Sequence, residues 1–133
     1  MYYFASDMHL GLGAHEESLK RERLLVQWLK EMAADADAIF IESNYDRNLL
    51  KSGPYPKKLQ ARIAGGYGHL SNEEAAFFLK QHAKLRSQVY LIHLSENNNT
   101  PELARKTVSD SLQSGIFVTV CHRGESYEGF IDE

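Results

Sequence analysis

Cysteine is almost missing from this sequence: Cys121 is the only one in 133 residues. No internal disulfide can form, and a reducing compartment is the natural setting. An excess of positive charge is missing too. A net charge of −3 and a pI near 6.1 give no electrostatic case for non-specific binding to nucleic acid or to a membrane surface, although an enzyme that grips phosphate through a metal is not excluded. There is no long apolar run: the opening MYYFASD meets a charge at Asp7, too early for a signal peptide or a membrane span. The expectation is a cytoplasmic protein with no membrane span. Repeats, linkers and low-complexity segments are also absent.

What is present is ordinary globular material. A hydrophobic content of 43% with 25% charged residues suits one domain, residues 1–133, long enough to bury a core. Tyr2 to Ser6 is short, apolar and aromatic-rich, and runs into the glycine-bearing SDMHLGLG, as a buried strand does at its end. From Glu16 to Ala36 the apolar residues Leu19, Leu25, Val26, Trp28, Leu29 and Met32 gather on one side, which predicts an amphipathic helix packed on a sheet. Ala38 to Ile41 is a second strand, ending in Glu42, Ser43 and Asn44, and the unit from Tyr2 to Ile41 should be a right-handed parallel crossover.

Between Tyr45 and Gly68, Pro54, Pro56 and four glycines punctuate a segment in which only Lys57 to Ala64 reads as a short helix. Ser71 and Glu74 stand at capping-box spacing, so a helix begins near Asn72. Val89 to Ile92 reads as a strand buried on both faces, with His93 at its carboxyl end, where ligands of open parallel sheets bind. Thr100 and Pro101 open a further helix to about Leu112. Ile116 to Cys121 and Ser126 to Ile131 alternate around Arg123 and Gly124 as a terminal hairpin. The predicted fold is a three-layer α/β sandwich, βαβαβαββ, with strands 1–3 parallel and a C-terminal antiparallel hairpin.

Asp7 and His9 form a D-x-H pair, and along an extended chain residues two apart share a side, so the two converge on one divalent ion or are a coincidence of sequence. FASDMHLGL, followed by a helix and ADAIF, resembles the opening of calcineurin-like metallophosphoesterases of the UDP-2,3-diacylglucosamine pyrophosphatase type. That resemblance implies metal ligation by Asp7 and His9. It covers roughly the first 40 residues: the Gly-Asp expected at the end of the second strand is replaced by Glu42-Ser43-Asn44, and the later Gly-Asn-His is missing.

From Ile41 the chain resembles another family. IESNYDRNLLKSGPYP, GGYGHLSNEEAA and YLIHLSENNNTPELA are similar, in order, to the C-terminal part of metallo-β-lactamase-fold hydrolases, in the YycJ-like exonuclease branch related to tRNase Z. The resemblance implies that His93 is a metal ligand and that Glu42 and His69 are a proton-transfer pair. The family's H-x-H-x-D-H motif is not in this sequence. The two resemblances meet near Phe40 and Ile41, as in a chimera.

Together they imply a metal-dependent phosphoester hydrolase holding Zn or Mn, with nucleic acid or another phosphoester as substrate. The alternatives are a pyrophosphatase acting on UDP-diacylglucosamine, and a non-catalytic α/β domain that self-associates as a homo-oligomer through an exposed sheet edge. Other polar residues have simpler readings: Asp46 caps a turn, His15 and His82 lie on helix surfaces, His122 sits in a hairpin turn, and Asn97 to Asn99 form turn hydrogen bonds. Lys57, Lys58 and Arg62 are either a solvated face or a contact for a phosphate backbone.

Overall fold

The computed structural model describes residues 15–66 and 68–127. The predicted first strand, Asp7 and His9 lie outside the described residues. The chain forms α1 (His15–Asp35), β1 (Ala38–Glu42), α2 (Arg47–Ser52), α3 (Lys57–Ile63), α4 (Asn72–His82), β2 (Gln88–Ile92), α5 (Pro101–Ser111) and β3 (Phe117–Val120). β1 and β3 flank β2, and both pairs are parallel, with Ile39 opposite Val89 and Val89 opposite Val118. The fold is α/β, consistent with the three-layer sandwich.

Alternation along the strands turns Ile39, Val89, Leu91 and Val120 to one face, where they meet Ala76 and Leu79 of α4, Ala104 and Val108 of α5, and Ala33 of α1. Leu79, Val89, Leu91 and Val108 are wholly buried, each worth about 1.5–3 kcal/mol of apolar burial. The alanines let α4 and α5 approach closely. On the other face Phe40 stacks on Tyr90 with ring centroids 4.6 Å apart, and Phe40 and Phe117 stay 63% and 68% exposed. Among the described residues no helix is long and apolar enough to cross a membrane.

Local signals set the helix starts. Ser71 accepts from Glu74 N–H while the Glu74 side chain accepts from Ser71 N–H, completing the capping box. Thr100 accepts from Leu103 N–H with Pro101 in the first turn. In α1 the inward stripe is Leu25, Trp28, Leu29, Met32 and Ala33, whereas Val26 is 47% exposed. Its position is about 100° around the helix from Leu25, at the margin of the stripe just past Ala33.

Two readings change. The segment after Tyr45 holds a helix that its composition hides: Asp46 accepts from both Asn48 and Leu49 N–H at 2.9 Å, and this double cap opens α2. The first arm of the predicted terminal hairpin is β3, held in the sheet by parallel pairing to β2. Residues 121–127 that follow contain no strand, and the rest of the second arm lies outside the described residues.

Candidate functional site

Parallel pairing brings the carboxyl ends of β1 and β2 side by side, and it is there that Glu42 and His93 meet. Glu42 is the last residue of β1, and His93 follows directly on β2. His69 arrives from the loop between α3 and α4. That loop is pinned by Gly68 N–H to the Gly65 carbonyl and His69 N–H to the Ile63 carbonyl. A side chain at Gly68 would collide with the carbonyls of Ile63 and Arg62, so the chain can turn His69 inward only with glycine there.

One carboxylate oxygen ties the group together. Glu42 Oε1 lies 2.8 Å from His69 Nδ1 and 2.6 Å from His93 Nδ1, and Glu42 Oε2 accepts from Leu70 N–H at 2.8 Å. The two imidazoles meet edge to face at 5.2 Å. The Glu42 side chain is 27% exposed, His69 42% and His93 61%, so the carboxylate forms the floor and the imidazoles face solvent.

Burial pushes the Glu42 carboxyl up, but the Leu70 N–H, the hydrogen bonds from His93 and His69, and the charge of His69 outweigh it and hold the carboxyl below its ordinary 4.5. Glu42 is therefore an anion at neutral pH and can only accept, so each imidazole donates through Nδ1. That tautomer leaves both Nε2 lone pairs free, the arrangement in which a carboxylate orients metal-ligating histidines.

A depressed carboxylate stabilises the folded chain at pH above the unfolded glutamate value, and the contribution is lost as pH falls through the lowered folded value. We expect the urea midpoint of the parent to fall more steeply below pH 4.5 than that of Glu42→Gln. The difference should stay under about 1 kcal/mol because the cluster is partly screened by solvent. Parallel pH profiles of the two proteins would contradict it.

The backbone around the cluster is held by buried amides. His93 adopts φ +59°, a left-handed conformation uncommon for a residue with a side chain. Asn44 Nδ2 donates to its carbonyl at 2.7 Å, and Ser95 N–H donates back to the Asn44 carbonyl at 2.8 Å. Beneath lies a cluster with no exposure to speak of. Ser43 Oγ donates to Asn72 Oδ1 at 2.6 Å, Asn72 Nδ2 to Asn99 Oδ1 at 2.9 Å, and Asn99 Nδ2 to the Ser43 carbonyl at 2.9 Å. Three loops, after β1, before α4 and after β2, are thereby locked to one another beside the group: Glu42 ends β1, and His69 and His93 lie on the other two.

Glu42, His69 and His93 offer donor atoms within 4.8 Å of one another. Two ligands on one tetrahedral zinc, each at about 2.0–2.1 Å, lie about 3.3 Å apart. The 2.6 and 2.8 Å separations are therefore hydrogen bonds and not the edges of a coordination polyhedron. The donor set fits a divalent ion in one form: imidazole Nε2 as ligand, with Glu42 behind as orienting carboxylate. Asp7 and His9, the other expected ligands, lie outside the described residues. His82 packs on Phe78 at 4.9 Å, away from this group.

Its place at the carboxyl end of a buried strand marks His93 in the sequence, and resemblance adds Glu42 and His69, but nothing there marks the asparagines that position them. Asn99 was expected to serve a turn, and it does accept from Thr100 N–H, but it is 6% exposed and Asn72 is fully buried. Their residue type gave no sign of this.

The chain is similar to exodeoxyribonuclease YycJ of Bacillus anthracis, 37% identical over 101 residues, which is 75% of this chain and 37% of the relative. It is also similar to exodeoxyribonuclease WalJ from Streptococcus pneumoniae strains D39 and R6, 40% identical over 79 residues, 59% of this chain and 29% of each relative. The chain thus spans about a third of the length of the curated relatives it matches. No family model matches the sequence, and no solved structure matches it.

Proposed function

We propose that this chain carries part of the apparatus of a metal-dependent hydrolase that cleaves phosphodiester bonds in DNA. The observation that carries the reading is the single carboxylate holding two imidazoles by Nδ1, in a chain whose relatives bear the name exodeoxyribonuclease. A bound divalent ion would supply a water made acidic enough to act as nucleophile near neutral pH. In this reading His93 is a metal ligand through Nε2, Asp7 and His9 are further ligands, and Glu42 fixes the orientation of His93.

His69 has a different task. Glu42 holds it by Nδ1–H, so Nε2 is the atom from which a proton passes to the leaving oxygen of the phosphodiester. Glu42 and His69 together form the proton-transfer pair. A 5′-phosphorylated oligonucleotide and bis(p-nitrophenyl) phosphate test the reading. Turnover that EDTA abolishes and Mn²⁺ or Zn²⁺ restores is expected; no turnover of either substrate at any metal concentration would end it.

The exposed Phe40 and Phe117 favour a second reading, in which copies of the chain associate through the apolar side of the sheet. Size-exclusion chromatography with light scattering should then give a mass above 15.1 kDa. Phe40→Ser with Phe117→Ser should return it to that of one chain.

A further inference from the structure

We infer that α3 and the loop after β3 form a track for the phosphates of a single DNA strand, leading it along a groove to His69 and His93. This inference deepens the proposed function and rests on it. The groove has a volume of about 530 Å³ and is lined by the two histidines, by Tyr55 and Leu59, and by Arg62 and Arg123.

The helix gives the first reason. α3 reads KKLQARI, with three basic residues and no acidic one, in a chain whose net charge is −3. Lys57 is occupied, its Nζ donating to the Lys51 carbonyl and to Gln60 Oε1. Lys58 and Arg62 are not. They stand four residues apart on one face, both exposed, and neither has a hydrogen-bond or ion-pair partner among the described residues. Like charges at this spacing destabilise a helix, so the pair costs the free protein stability that an anion would return.

Arg123, which also lines the groove, gives the second reason. Arg123 reaches Glu96 only at 3.7 Å, and both side chains are at least 80% exposed. So loose an ion pair is easily exchanged for a phosphate. Tyr55 is half-buried, its hydroxyl accepting from Asn97 Nδ2 at 3.1 Å, and with Leu59 it offers a surface on which a base can lie. Phosphate contacts of this kind fix the register of a strand without reading its sequence.

The test is binding in EDTA, where no metal-dependent cleavage occurs, of a fluorescent 5′-phosphorylated single-stranded oligonucleotide by anisotropy over a range of salt. Lys58→Ala with Arg62→Ala should weaken binding about tenfold for any sequence and lower the slope of log K against log salt by about 1.4, two contacts at about 0.7 each. Its thermal midpoint should be unchanged or raised, because a like-charged pair is removed. Lys80→Ala with Arg105→Ala removes the same charge from other exposed positions and should leave affinity within about twofold. Equal losses in both variants, no loss in the first, or a parent that does not bind would each overturn the track. Binding that falls as expected in a protein that never cleaves would uphold the track while ending the hydrolase reading.

Discussion

Glu42→Ala should reduce metal-dependent phosphodiester hydrolysis by about a thousandfold, combining the loss of an orienting carboxylate with the loss of proton-transfer assistance. The reason is that one residue satisfies three donors: His69 Nδ1–H, His93 Nδ1–H and Leu70 N–H. With alanine both imidazoles lose their fixed tautomer and rotate, since both are more exposed than the carboxylate that holds them. Glu42→Gln separates the two jobs. Its single oxygen can serve the imidazoles or Leu70, and its NH₂ then opposes a donor on the other side, so an intermediate loss is expected, with the larger share in metal affinity. Steady-state kinetics at saturating and limiting metal distinguish these outcomes; an alanine variant with the parent's kcat would refute the role given to Glu42.

Asn72→Ala should cost about 3 kcal/mol of stability and disable the site without touching it. Asn72 is fully buried and its amide makes three hydrogen bonds, accepting from Ser43 Oγ and Asn99 Nδ2 and donating to Asn99 Oδ1. Truncation strands the Ser43 hydroxyl and one Asn99 Nδ2–H away from water, at about 1–3 kcal/mol for each buried group left unpaired. The same amide ties the loop bearing His69 to Ser43, next to Glu42, and to the loop bearing His93, so hydrolysis should fall along with stability. Urea unfolding of Asn72→Ala measures the first effect and kinetics well below its unfolding midpoint the second. A loss under 1 kcal/mol would mean that the three loops hold their places by other means.

Much of the scaffold was legible in the sequence because the signals that set it are local. The Ser71–Glu74 box and the Thr100–Pro101 start lie within four residues of what they determine, and the apolar runs of β1 and β2 announce buried strands. α2 was hidden because six residues hold too little apolar periodicity to outweigh the glycine and prolines beside them; only the Asp46 cap marked it. The pairing of β3 with β2 joins residues 29 apart, as Gln88 with Phe117, and nothing in a four-residue strand encodes its partner.

The site divides in the same way. Glu42, His69 and His93 are 27 and 51 residues apart along the chain in the bonds that unite them. Resemblance to known motifs brought them together, where periodicity could not. Asn44, Asn72 and Asn99 carried no motif reading of their own. An asparagine in a loop reads as a turn former, and only the folded chain reveals that its amide is spent on another loop.

Metal content tests most directly whether Glu42 aims His93 at a divalent ion while it holds His69 for proton transfer. The purified protein is dialysed against Mn²⁺ or Zn²⁺, freed of excess ion and assayed by elemental analysis beside His93→Ala. Near-stoichiometric metal is expected in the parent, and its loss in the variant. No metal in either protein, or the same amount in both, would contradict it.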